Sequence, residues 1–65
     1  MLLKDLTRVL ATNQRCRVSY MDDKGQIVDI EELAGLLFFN VLLEDAKVVS
    51  TYVLDNVLVI LVSLD

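Results

Sequence analysis

The end of the chain sets the strongest constraint on its fold. Val57-Leu58-Val59-Ile60-Leu61-Val62 is an apolar run with no alternation. A strand with one wet face alternates apolar and polar residues, so a continuous run means burial on both faces. The run follows Asp55-Asn56, two residues that tolerate the left-handed backbone of a tight two-residue turn. Residues 46–54 and 57–63 therefore read as an antiparallel hairpin. Double-sided burial is hard to arrange in 65 residues, since a domain of this size buries only about 60% of the surface its unfolded chain exposes. Yet 55% of the residues are hydrophobic. The last strand is expected to lie between a helix and another sheet or subunit, or to pair across a dimer axis into a continuous sheet.

A membrane is the other home for such a surplus. Residues 48–64 approach the length of a spanning helix. Asp55 and Asn56 lie at the middle of that stretch. One Asp there costs about 2.5–3.5 kcal/mol on the insertion scale. Val, Thr and Tyr enrichment also favours the hairpin. The N-terminus carries Lys4, Asp5 and Arg8 within its apolar pattern, so no secretory leader is read. The expectation is a soluble cytoplasmic protein, with no membrane partner and with its apolar surplus used for homo-oligomerisation.

The rest of the chain supplies one helix and two more strands. Leu2, Leu3, Leu6, Val9 and Leu10 recur at spacings of three and four, which predicts an amphipathic helix over residues 2–12. Asn13 is placed as its left-handed cap. Residues 15–21 alternate Cys16, Val18 and Tyr20 with Arg15, Arg17 and Ser19, as a strand does. Asp22-Asp23-Lys24-Gly25 is a hairpin turn, with Gly25 free to take positive φ, and residues 26–31 return as the second strand. Residues 33–43 have neither period; they fit a helical turn, a short strand, or the two in succession. This stretch holds Phe38 and Phe39, which are expected to meet another subunit, together with Leu58 and Ile60 of the last strand. The predicted architecture is one α+β domain over residues 1–65: an N-terminal helix packed on a small, mainly antiparallel four-stranded sheet, assembled as a homo-oligomer.

Several chemistries are excluded by residue type. The chain has no His and one Cys, Cys16, so neither a Ser-His-Asp nor a Cys-His relay can be built, and no intrachain disulfide. One thiol with carboxylates is a poor zinc site, and Asp22-Asp23-Lys24-Gly25 lacks the spaced oxygen ligands of a calcium loop. Neither a phosphate-binding glycine loop nor a C-x-x-C pair is present. No carboxylate pair suggests a tuned general base, so no enzymatic activity, metal or cofactor is expected. Cys16 reads as an inert core thiol.

Charge is uneven along the chain, whose net charge is −4. Residues 1–17 hold Lys4, Arg8, Arg15 and Arg17 against Asp5 alone; beyond them, Lys24 and Lys47 face every other acid. Overall acidity argues against duplex nucleic acid as a partner. Arg15 and Arg17 share one strand face, and guanidinium groups suit a bidentate grip on phosphate. Three readings stay open for them: a solvated face paired with acids such as Asp29, an anion site for a nucleotide-like ligand, or a patch that docks an acidic protein. Tyr20 and Tyr52 fit either half-buried sheet positions or stacking partners for a base. The candidate ligand set is thus Arg8, Arg15, Arg17, Tyr20 and Tyr52.

One resemblance spans most of the chain outside residues 33–42. Leu3-Lys4-Asp5-Leu6…Val9-Leu10 leads to Asn13 and a strand ending in Asp22-Asp23-Lys24-Gly25. The chain closes with Leu43-Glu44-Asp45-Ala46-Lys47-Val48-Val49-Ser50-Thr51-Tyr52…Asp55-Asn56-Val57-Leu58-Val59-Ile60. This pattern resembles short accessory proteins of phages and prophages of Gram-positive bacteria. The resemblance carries no catalytic residues. It implies a phage accessory protein that acts by binding: sequestering a nucleotide immune signal within a homo-oligomer to counter host antiviral defence. Two alternatives go with it, a protein–protein inhibitor of a host defence enzyme and a structural or assembly accessory of the phage particle.

Overall fold

The computed structural model describes residues 1–37, 39–43 and 45–64. Along the chain run α1 (Leu3–Val9), β1 (Arg15–Met21), β2 (Ile27–Leu33), α2 (Ala34–Leu37), β3 (Lys47–Leu54) and β4 (Val57–Ser63). The four strands form one sheet in the order β2-β1-β4-β3. Strands β1 and β2 pair antiparallel, as do β3 and β4, whereas β1 and β4 run parallel. The fold is α+β with a mixed sheet, and the parallel join between the two hairpins is what the sequence pattern lacked.

That join explains the non-alternating strand. β4 is central, with β1 on one edge and β3 on the other. Ile60 and Val62 point to the helical side and enter the core beside Leu3, Cys16, Val18, Ala34, Leu37, Leu43 and Ala46. Val57 and Val59 point to the other side and are 8% and 2% exposed. Val59 stands in register between Arg17 of β1 and Tyr52 of β3. The alkyl stem of an arginine and the ring of a tyrosine both cover apolar surface while their polar ends stay wet. Double-sided burial of β4 is therefore completed within one subunit. The expected second sheet or subunit over this strand is not needed, and pairing of β4 across a dimer axis is excluded because both its edges are taken.

The helix is shorter than its pattern. α1 ends at Val9, and Leu10 is already extended at φ −82° and ψ 152°. At its start the Asp5 carboxylate accepts from the Leu2 N–H at 3.4 Å. Leu3 and Thr7 are buried and Leu6 and Leu10 are partly buried, while Val9 is 76% exposed. The buried face is thus three, six, seven and ten, with Thr7 in place of Val9. Asn13 is not the left-handed cap; among the described non-glycine residues only Asp55 and Asn56 have positive φ. Hydrogen bonds hold the link instead: the Gly35 and Ala34 N–H groups donate to the carbonyls of Thr12 and Gln14 at 3.0 and 2.9 Å. Residues 33–37 are the last residue of β2 and one helical turn, and residues 39–43 are mostly turns. Ala34, Leu37 and Leu43 pack inward, leaving Leu36, Phe39, Val41 and Leu42 outside. Phe38 lies outside the described residues.

Candidate functional site

Both helices pack on one face of the sheet, and the opposite face is uncovered among the described residues. Alternation puts Arg15, Arg17, Ser19 and Met21 of β1 on the uncovered face. Their antiparallel partners on β2 are Leu33, Glu31, Asp29 and Ile27. Tyr52 and Leu54 of β3 complete that face beside Val59 and Val57. Three residue types alternate across it: an ion pair, a hydroxyl–carboxylate pair and apolar ends.

The ion pair is Arg17 with Glu31. Arg17 Nε donates to Glu31 Oε1 at 2.9 Å, and its guanidinium Nη2 donates a second bond to the same oxygen. That hydrogen bond, and then the guanidinium charge, hold the Glu31 carboxyl below the usual carboxylate range. The same partner raises the Arg17 pKa further above its already high value. Asp29 is not the arginine partner; it accepts from the Ser19 hydroxyl. Arg15 is exposed on the same face. A cleft of about 300 Å³ runs between these groups, lined by Arg15, Arg17, Glu31, Leu54, Asp55, Val57 and Val59. Its two arginines are matched by two carboxylates, and Glu32 adds a third in the neighbouring hollow under Arg15. A balanced or acidic lining of this kind opposes a phosphate group.

The five candidate ligand residues do not converge. Arg15, Arg17 and Tyr52 share the open face. Tyr20 lies on the helical side, packed against the core. Arg8 lies in the last turn of α1, where it lines a shallow hollow of about 260 Å³ with Thr7, Leu10, Thr12, Gly35 and Phe39. The sheet therefore separates Arg8 and Tyr20 from the other three. Two of the interface residues are also placed differently from expectation. Ile60 is 0% exposed and Leu58 is partly buried against the core, both on the face that the helices cover. A second subunit cannot reach Ile60 without displacing a helix. Phe39, by contrast, is 76% exposed.

Sequence reasoning missed the edge strand. Val49, Tyr52, Val53 and Leu54 of β3 are 67%, 51%, 70% and 52% exposed. The signal was present, since no charge falls between Lys47 and Asp55, but it identifies an edge only once the strand order is known. Cys16 is buried, and desolvation raises its thiol pKa. Among the described residues no group of three or more His, Cys, Asp or Glu could hold a metal ion, and no helix is long and apolar enough to cross a membrane. Comparison with known family models, with curated proteins and with solved structures finds no match for this chain.

Proposed function

We propose that this chain is a non-enzymatic binding module that docks a protein partner and works as a homo-oligomer. The observation that carries the reading is the apolar shoulder beside α2. Leu36, Phe39, Val41 and Leu42 are 56%, 76%, 74% and 86% exposed within one short segment. Interface hot spots are aromatic and aliphatic anchors of this kind, framed by a polar or arginine rim. Arg8 supplies such a rim residue beside Phe39. With the likeness to phage accessory proteins, the partner class is a host defence protein, and the setting is the host bacterial cytoplasm.

Sequestration of a nucleotide signal has less support. Arg17 is already paired with Glu31, and carboxylates match the arginines of the open-face cleft. A ligand at a hundredfold excess over its Kd would stabilise the fold by ~2.7 kcal/mol, a clear thermal shift in a small domain. No such shift is expected with cyclic or ADP-ribose-type nucleotides. The protein-docking reading is tested by affinity capture from host lysate with the wild type, Phe39→Asp and Leu42→Asp. One stoichiometric partner held by the wild type and lost by both variants, at unchanged circular dichroism, is the expected result. Equal capture by all three proteins, or a nucleotide shift of the above size, sinks it.

A further inference from the structure

The two edges of the sheet are built differently. β2 carries Asp29, Glu31 and Glu32 along its length, and charge on an edge strand opposes pairing with another strand. β3 reads Lys-Val-Val-Ser-Thr-Tyr-Val-Leu, with no charge after Lys47 and no proline. Residues 1–3 already lie antiparallel along the first part of its outer side. Leu2 is bridged to Lys47, the Leu3 N–H donates to the Ala46 carbonyl, and the Val48 N–H donates to the Met1 carbonyl, both at 2.8 Å. Leu3 is 1% exposed, so the core anchors this segment and it does not yield its place. A bulge between Val48 and Ser50 separates the covered part from the rest. Residues 50–54 are exposed, and among the described residues β4 is their one strand neighbour. The Asp55-Asn56 turn makes Leu54 and Val57 its flanking hydrogen-bonded pair, so strand alternation directs the backbone N–H and C=O of Thr51 and Val53 outward. A short uncharged edge with outward-facing backbone groups is a template for another strand.

We infer that residues 50–54 receive an extended segment of a partner protein, added antiparallel to the sheet: a short run of uncharged, β-prone residues preceded by a lysine or arginine. Its direction follows from continuity. Residues 1–3 run antiparallel to β3 in the same row, so the segment prolongs a pairing the molecule has already formed. Antiparallel pairing also lets Thr51 and Val53 each exchange both backbone bonds with one facing residue. The length is bounded by Met1 at one end and by the Asp55-Asn56 turn at the other. Charge sets the flanking residue. In this direction the segment enters beside Asp55, an exposed acid. The net charge of −4 draws in a basic segment and repels a second copy of the chain. Between the two bonded pairs, the residue facing Tyr52 stands at a non-hydrogen-bonded position, where side chains approach most closely; a β-branched residue packs well there against the ring. Backbone bonds supply the affinity in this mode of recognition, and alternate side chains the specificity. No residue of this edge belongs to the shoulder around Phe39.

Peptide titration of the whole chain, followed by amide chemical shifts and hydrogen exchange, tests it. The probe is Arg-Val-Thr-Val-Thr-Val, acetylated and amidated at its ends. Its threonines face Val53 and Thr51, and its central valine faces Tyr52. The expected result is saturable binding in which the Thr51 and Val53 amides shift and gain protection, while those of β2 do not. N-methylation of both threonine amides should weaken binding by roughly tenfold or more, because two backbone bonds are lost. N-methylation of the central valine, whose amide points away from β3, should leave it unchanged. Glutamate in place of the probe's arginine, or Asp55→Asn in the protein, should each weaken binding about two- to fivefold, as for one exposed ion pair; asparagine keeps the left-handed turn. Phe39→Asp should bind the probe like the wild type, so failure of the shoulder and failure of this edge are read separately. Absence of shifts at Thr51 and Val53 with millimolar probe overturns the inference, as does equal binding by the two methylated forms. Protection of these amides that rises with protein concentration alone makes a second copy the occupant and overturns the partner segment.

Discussion

Ile60 is one of the large side chains fully buried in the interior. It has 0% exposure and stands in register beside Val18 of β1 and Thr51 of β3. Truncating a buried Ile to Ala costs about 2–5 kcal/mol. A domain of this length has roughly 3–10 kcal/mol of stability in total. Ile60→Ala should therefore leave a substantial unfolded fraction at physiological temperature, and Ile60→Val a folded protein with a lower urea midpoint. Glu31 gives a second prediction with a definite sign. Its folded pKa is depressed by Arg17, so its stabilising effect is present at neutral pH and lost as pH falls through the acid range. The melting temperatures of the wild type and Glu31→Gln should differ slightly at pH 7 and converge in acid; the pair is exposed, so the difference at pH 7 is small. Residue-scale features of this kind were only partly legible. The alternation of β1 placed Arg15 and Arg17 on one face correctly. It could not choose Glu31 over Asp29 as the partner, because that choice depends on the register with β2.

At the scale of elements, turns carry the most local information. Asp55 and Asn56 have φ of 54° and 66°, the left-handed pair of a type I′ hairpin. Left-handed backbone costs an ordinary L-residue about 1–2 kcal/mol and glycine almost nothing. Asn56→Gly should raise the melting temperature, and Asn56→Val should lower it by an amount equivalent to about 1 kcal/mol. Gly35 has another reason to be glycine. A Cβ there would sit 3.1 Å from both the Cβ and the carbonyl oxygen of Thr12. The Thr12 carbonyl is fixed by its bond from the Gly35 N–H. Gly35→Ala should thus destabilise by about 1 kcal/mol, overpacking outweighing the gain in helix propensity. Urea titration of these variants checks both sites. Both hairpins and their turns were legible in the sequence because their signals lie within a few residues. The end of α1 was not: periodicity ran on to residue 12, while contacts with α2 pulled residues 10–14 out of the helix.

For the whole molecule the deciding fact is strand order. Joining the hairpins through β1 and β4 puts the most apolar strand at the centre and β3, uncharged beyond Lys47, at an edge. The apolar surplus then divides into three parts: a completed core, the shoulder around Phe39, and the edge at residues 49–54. Phe39→Asp should accordingly abolish partner capture in the lysate experiment, with secondary structure unchanged by circular dichroism. By itself the sequence determined the strands, both turns, the buried character of Val57 to Val62 and the absence of histidine chemistry. Those properties follow from residue type and from neighbours along the chain. Only the tertiary structure decided which strand is central, that Arg17 and Tyr52 cover Val59, that Arg8 and Tyr20 stand apart from the other candidate ligand residues, and that β3 is left open. Each of these depends on which distant segments meet, and parallel pairing of β1 with β4 joins residues about forty positions apart, a separation at which local patterns carry no register.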